Sequence, residues 1–145
     1  MFFTSEAQLK KFILEKCRGA IANAQLEVFS DFDSNINQFY LEFAPAEYIR
    51  TNALADSLKA SEVYSAGNSV SAEVRFDTPS YQKGAVPLQS GRTGWASWSD
   101  EKILDTAMHG SHGGYVGGTA IWDSTMSELG NITSLIEREL KKQGL

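Results

Sequence analysis

The sequence predicts an α+β fold: a long N-terminal helix and a C-terminal helix packed on a small antiparallel sheet, with long glycine-rich loops. Three observations carry this. Apolar residues recur at helical spacing over about 5–42 and again over about 120–142. Between them Val70, Ala72, Val74 and Phe76 alternate with Ser71, Glu73, Arg75 and Asp77, the pattern of a half-buried strand. From 78 to 118 lie eight of the 12 glycines, together with Pro79, Pro87, Trp95 and Trp98, which is loop chemistry.

The first helix opens at Ser5-Glu-Ala-Gln8, a capping box with a hydroxyl at the cap and an amide three residues on. Leu9, Phe12, Ile13, Cys17, Ala20, Ile21 and Ala24 then form one face. The face continues with a shift of phase through Val28, Phe32, Ile36 and Phe39. The polar stretch 30–37 leaves two helices or one bent helix open. Pro45 stops the pattern, because the residue before proline avoids the helical region.

A hinge over 43–58 follows, in which Glu47 to Lys59 can hold a short helical turn carrying Tyr48, Leu54 and Leu58. A hairpin over about 60–77 turns at Gly67-Asn68. Within 78–118 only Ser99–Met108 reads as a helix, with Ser99 as cap and Asp100 and Glu101 at the positive end of its dipole. In the C-terminal helix Gly130-Asn131 is the place for a bend or break. Lys141-Lys142 with Gly144 is an ordinary exit.

At 145 residues, 42% hydrophobic and 21% charged, the chain reads as one domain, 1–145. Charges of 13 basic against 18 acidic give −5, a poor balance for wrapping nucleic acid. No sequence-specific nucleic-acid contact is expected. The single Cys17 rules out an internal disulfide and a cysteine-based zinc cage, and it reads as a small buried hydrophobe. Met-Phe-Phe-Thr-Ser-Glu has no basic segment leading into an apolar one, so no secretory signal is expected, and no apolar run is long enough to span a bilayer.

His109-Gly-Ser-His112 offers two imidazoles to a metal, with Asp105 or Asp123 as a third ligand. The flanking glycines make it a loop, and the competing reading is a pair of histidines near the end of the 99–108 helix. Ser111 lacks the strand–elbow–helix context of a nucleophile, and Gly110, Gly113, Gly114, Gly117 and Gly118 match no phosphate loop. Trp95 and Trp98, in a polar loop with Arg92, suit either a protein interface or a cap on the core. Arg92, Trp95, Trp98, His109, His112 and Tyr115 are therefore the candidate interface residues. No catalytic residue, metal or cofactor is expected; the competing expectation is a metal-dependent hydrolase using the His109/His112 loop.

Phe43-Ala-Pro45 leads into Tyr48-x-Arg50-Thr51-x-x-Leu54-x-x-Ser57, between a long helix and a hairpin. This segment resembles the hinge of the tailed-bacteriophage head–tail joining or tail-completion proteins. The strand Val70–Phe76, the segment Ala107–Gly114, Trp122-x-x-x-Met126-x-x-Leu129 and the Leu-Lys-Lys-Gln-Gly-Leu145 tail agree with it. The resemblance implies a non-enzymatic neck or connector component, made in the bacterial cytoplasm and carried in the virion. It implies assembly with itself as a ring, a hexamer or dodecamer, beside other neck or tail proteins. Pro45, Tyr48, Arg50, Thr51 and Leu54 would then form a structural hinge.

Overall fold

In the computed structural model one helix, α1 (Glu6–Glu42, 37 residues), runs unbroken for about 55 Å. The structure describes residues 2–42, 53–77, 104–105, 108–109 and 120–145, with 40–42 and 53 described in backbone only. The hinge residues Pro45, Tyr48, Arg50 and Thr51 lie outside this set, as do Arg92, Trp95, Trp98, His112 and Tyr115.

The start of α1 is capped one residue further out than a reciprocal box requires. Ser5 Oγ accepts from the Gln8 amide at 3.2 Å, but the Gln8 side chain reaches back to Thr4, accepting from its N–H at 2.9 Å and its hydroxyl at 2.8 Å. The polar stretch 30–37 does not break the helix. Within it Phe32, Asn35 and Ile36 are buried, so packing outweighs weak local propensity there.

Two flanks lie along α1. The first follows α2 (Ala53–Ser57), whose Leu54 is buried and whose Ser57 hydroxyl donates to the Leu54 carbonyl at 2.6 Å. Strands β1 (Leu58–Ala60), β2 (Tyr64–Ala66), β3 (Ser69–Ser71) and β4 (Val74–Phe76) then form one long hairpin in two pieces, β2 with β3 and β1 with β4. Its two-residue turn has Gly67 at φ 60, a conformation that favours glycine.

The pieces are separate because the register slips by one. Tyr64 faces Ser71, while Ala60 faces Val74, so three residues of the first arm oppose two of the second. That is a bulge. Ser61 spans it by donating its N–H to the Glu73 carbonyl at 2.9 Å and accepting the Glu73 N–H on its hydroxyl at 2.8 Å. The second arm keeps the expected alternation, with Val70, Ala72, Val74 and Phe76 half-buried and the residues between them exposed.

The second flank is a pair of helices, α3 (Ile121–Leu129) and α4 (Ile132–Lys142), where the periodicity alone reads as one. The break is at Gly130, at φ 66 and ψ −128, a backbone only glycine adopts readily. Asn131 then caps α4, its side chain accepting from the Thr133 N–H at 2.8 Å. At the far end the Leu145 and Gly144 N–H groups return to the carbonyls of Leu140 and Lys141, the double bond of a Schellman cap. Both helices run antiparallel to α1, since Asn35 meets Thr125 and the Gln143 side chain lies over Gly19.

The core fills the C-terminal half of α1. Phe32, Ile36 and Phe39 pack with Leu54, Leu58, Met108 and Ile121. Phe32 sits at its centre, edge-on to Phe76 at 5.5 Å and tilted against Trp122 at 5.6 Å. Leu104, Asp105, Met108 and His109 are helical, in agreement with a helix there, and Met108 is buried. Cys17 is only half-buried, less than its place on the stripe predicts, because this part of α1 lies beyond the core.

Phe32→Ala removes contacts to both flanks and is expected to cost about 3–5 kcal/mol. Gly130→Ala strains a single peptide and is expected to cost about 1–3 kcal/mol. Urea unfolding followed by circular dichroism checks both through the transition midpoint.

Candidate functional site

Two polar side chains of α1 hold the flanks in register. Gln25 donates through Nε2 to the Ser61 and Glu73 carbonyls, both at 2.8 Å, so the helix grips the hairpin at its bulge. Seven residues earlier Arg18 donates to Ser65 Oγ at 2.7 Å, which lays the hairpin lengthwise along the helix. On the other side Asn35 Nδ2 donates to Thr125 Oγ1 at 2.9 Å and to Glu128 Oε2 at 3.2 Å, and also approaches the Asp31 carbonyl at 3.0 Å. The buried Thr125 hydroxyl in turn donates to the Ile121 carbonyl at 2.7 Å. Gln25 and Asn35 sit beside the apolar stripe rather than on it, and the sequence singles out neither.

With the flanks so placed, a groove of about 450 Å³ is left between them. Its floor is Ile21, Ala24, Val28 and Phe32 of α1, and its walls include Ala72 and Val74 on one side and Trp122 and Met126 on the other. Trp122 is 42% exposed, so its indole borders the groove rather than closing it. Among the lining residues the only charge is that of Glu73.

Carboxylates gather on the α3 side. The burial of Asp31, and then repulsion from Glu128 and Glu27, raises its carboxyl above the ordinary range. Arg138 of α4 pairs with Glu27 and lies 3.5 Å from Glu139. Glu139 is itself buried and lowered, first by the hydrogen bond from Lys142 at 2.8 Å.

The beginning of α1 stands apart. Its first fully buried residue is Ala20; Leu9 and Ile13 are 40% and 39% exposed. Leu9, Lys10, Ile13 and Leu14 line a shallow depression near Asn68 at the hairpin tip. Phe12 stacks against Phe3, with Lys16 over its ring at 5.4 Å.

Of the expected interface residues, His109 is described. It joins both acids that the sequence offered as its companions, with Nδ1 3.1 Å from Asp123 Oδ1 and Nε2 4.0 Å from Asp105 Oδ1. All three are about half exposed or more, so this is a solvated ion-pair site whose strength depends on protonation of the imidazole. Among the described residues no group of three or more His, Cys, Asp or Glu is arranged to hold a metal. No described helix is long and apolar enough to cross a membrane. Comparisons with protein-family models, with curated proteins and with solved structures gave no match.

The two perturbed carboxylates predict opposite pH responses. A raised native pKa means that ionised Asp31 opposes folding at neutral pH, and that the penalty fades as pH falls through the raised native pKa and is gone below the ordinary carboxylate range. Asp31→Asn should therefore stabilise at pH 7 and lose its advantage in acid. Glu139 is lowered, so its contribution is present above that range and lost as pH falls through its native pKa. Glu139→Gln should destabilise at pH 7, with the loss shrinking in acid. Thermal melts of the three proteins between pH 3 and 7 test the crossing.

Proposed function

We propose that this chain is a structural assembly protein of a tailed bacteriophage or prophage, acting at the head–tail interface and assembling as a ring. The observation that carries the reading is the half-covered beginning of α1, where Leu9 and Ile13 lie exposed on a helix that extends about 20 Å before its first fully buried residue. A rigid helix presenting apolar side chains outside its own core is what a subunit needs to hold a neighbour. The likeness of residues 43–57 and of the order of elements to head–tail joining proteins supplies the setting. The catalytic alternative, a metal-dependent hydrolase, is favoured by one fact, the meeting of His109 with Asp105 and Asp123.

The assembly reading expects the purified protein to form a closed oligomer, read by light scattering and native mass spectrometry. It further expects particles made without the protein to accumulate as separate heads and tails. Complete virions in its absence would end this reading. Metal analysis of the protein and of a His109→Ala, His112→Ala variant judges the alternative: assembly expects no bound zinc, and stoichiometric zinc lost in the variant would favour the hydrolase.

A further inference from the structure

Charge is sharply divided along α1. From Glu6 to Gly19 the helix carries Lys10, Lys11, Lys16 and Arg18 against Glu6 and Glu15. From Ala20 to Glu42 it carries Glu27, Asp31, Asp33 and Glu42 and no Lys or Arg. Helix α3, which forms one wall of the groove, adds Asp123 and Glu128 and no cation. The beginning of α1 is thus an apolar helix end with a net basic surface, and the groove lies over the middle of α1, Ile21 to Phe32, where that helix is acidic and where the α4 wall carries Arg138, Lys141 and Lys142 against Glu137 and Glu139. The two differ in shape and in sign.

We propose that the groove between the hairpin and α3–α4 receives the beginning of α1 from a second copy of this chain, with Leu9 and Ile13 entering it. The inference rests on the assembly reading and supplies its contact. The lining is apolar, its one charge being Glu73, which Arg75 approaches at 3.3 Å, and this suits a helix whose apolar face is flanked by Lys10 and Lys11. Helix in groove is a recurrent recognition mode, and i, i+4 anchors such as Leu9 and Ile13 are its usual form. Since donor and acceptor surfaces are different, the contact is head-to-tail, and repetition closes a ring or extends a filament.

A mixing experiment decides it. Leu9→Glu with Ile13→Glu spoils the helix end on exposed positions, and Ser71→Arg spoils the groove from an exposed lining position. Circular dichroism confirms that both variants fold. Each alone should sediment as a monomer, with self-association weakened at least about tenfold, the scale of losing an interface anchor. Mixed in equal amounts they should form heterodimers and nothing larger, since one intact end and one intact groove remain between them. Wild-type association should weaken in high salt.

If Ser71→Arg alone assembles like the wild type, or if the mixture stays monomeric, the docking is wrong. A wild-type protein monomeric at all concentrations also overturns it. A wild type that assembles while the helix-end variant assembles equally well overturns the docking alone and leaves the assembly reading standing. Virions complete without the protein end that reading whatever the mixing shows.

Discussion

The constraint on which the structure depends is the apolar stripe of α1, which a single helix has no means of burying by itself. Most of the stability of a helix in a protein comes from covering such a face. Here the cover comes from two flanks of different kind, a hairpin laid lengthwise and a pair of antiparallel helices. They converge on the C-terminal half of α1, where Phe32, Ile36 and Phe39 are buried between them. Each flank is too small to be stable alone: a hairpin whose strands have three residues each, and helices of 9 and 11 residues. All of them borrow order from the long helix.

Apolar contact is non-directional, so it leaves the position of each flank along α1 undetermined. Polar contacts settle it. Gln25 binds two carbonyls that the bulge has left with acceptor capacity, and so recognises the one place in the hairpin where the register slips. Sliding the hairpin by a residue would leave Ser61 and Glu73 without that donor. Asn35 does the same for α3 through the buried Thr125 hydroxyl, whose own proton is committed to the Ile121 carbonyl. A side chain with this pairing is costly to remove and costly to misplace, because its partners are buried. The groove follows from these two clamps. They hold the flanks at separate angles around α1 and leave Ile21 and Val28 partly uncovered between them.

Much of the fold was legible in the sequence because it is written in local periods. The helical stripe, the alternation at 70–76, the turn at Gly67-Asn68 and the α+β class all follow from spacing and turn chemistry. The break at Gly130 was legible as a place, while its being a full break required the backbone angle. The bulge was not legible, since three residues opposing two is a property of pairing and leaves the alternation of the second arm untouched. The groove was hidden for a similar reason: its walls come from segments about fifty residues apart in sequence, such as Val74 and Trp122. Trp122 read as one more residue of an apolar stripe, and only its exposure separates it from the core. The interface candidates that the sequence singles out lie instead in the glycine- and tryptophan-rich span, of which His109 is among the described residues.

Among the described residues the apolar stripe on α1 also runs on beyond α4, and under the proposed assembly this connects packing to the contact between copies. Helix α4 ends alongside Gly19, where the Gln143 side chain occupies the space a Cβ would take. Before that point Leu9 and Ile13 continue the face that Ala20 and Ala24 bury further on, one helical repeat after another. There the hairpin tip is the described neighbour, with Asn68 beside the depression that Leu9, Ile13 and Leu14 line. The lysines beside that face and the acidic middle of α1 beneath the groove differ in sign. Identical ends would have favoured a two-fold pair, whereas unlike ends favour a chain of contacts that closes only by rotation. Under the proposed assembly, the asymmetry of one helix supplies both signs of the contact.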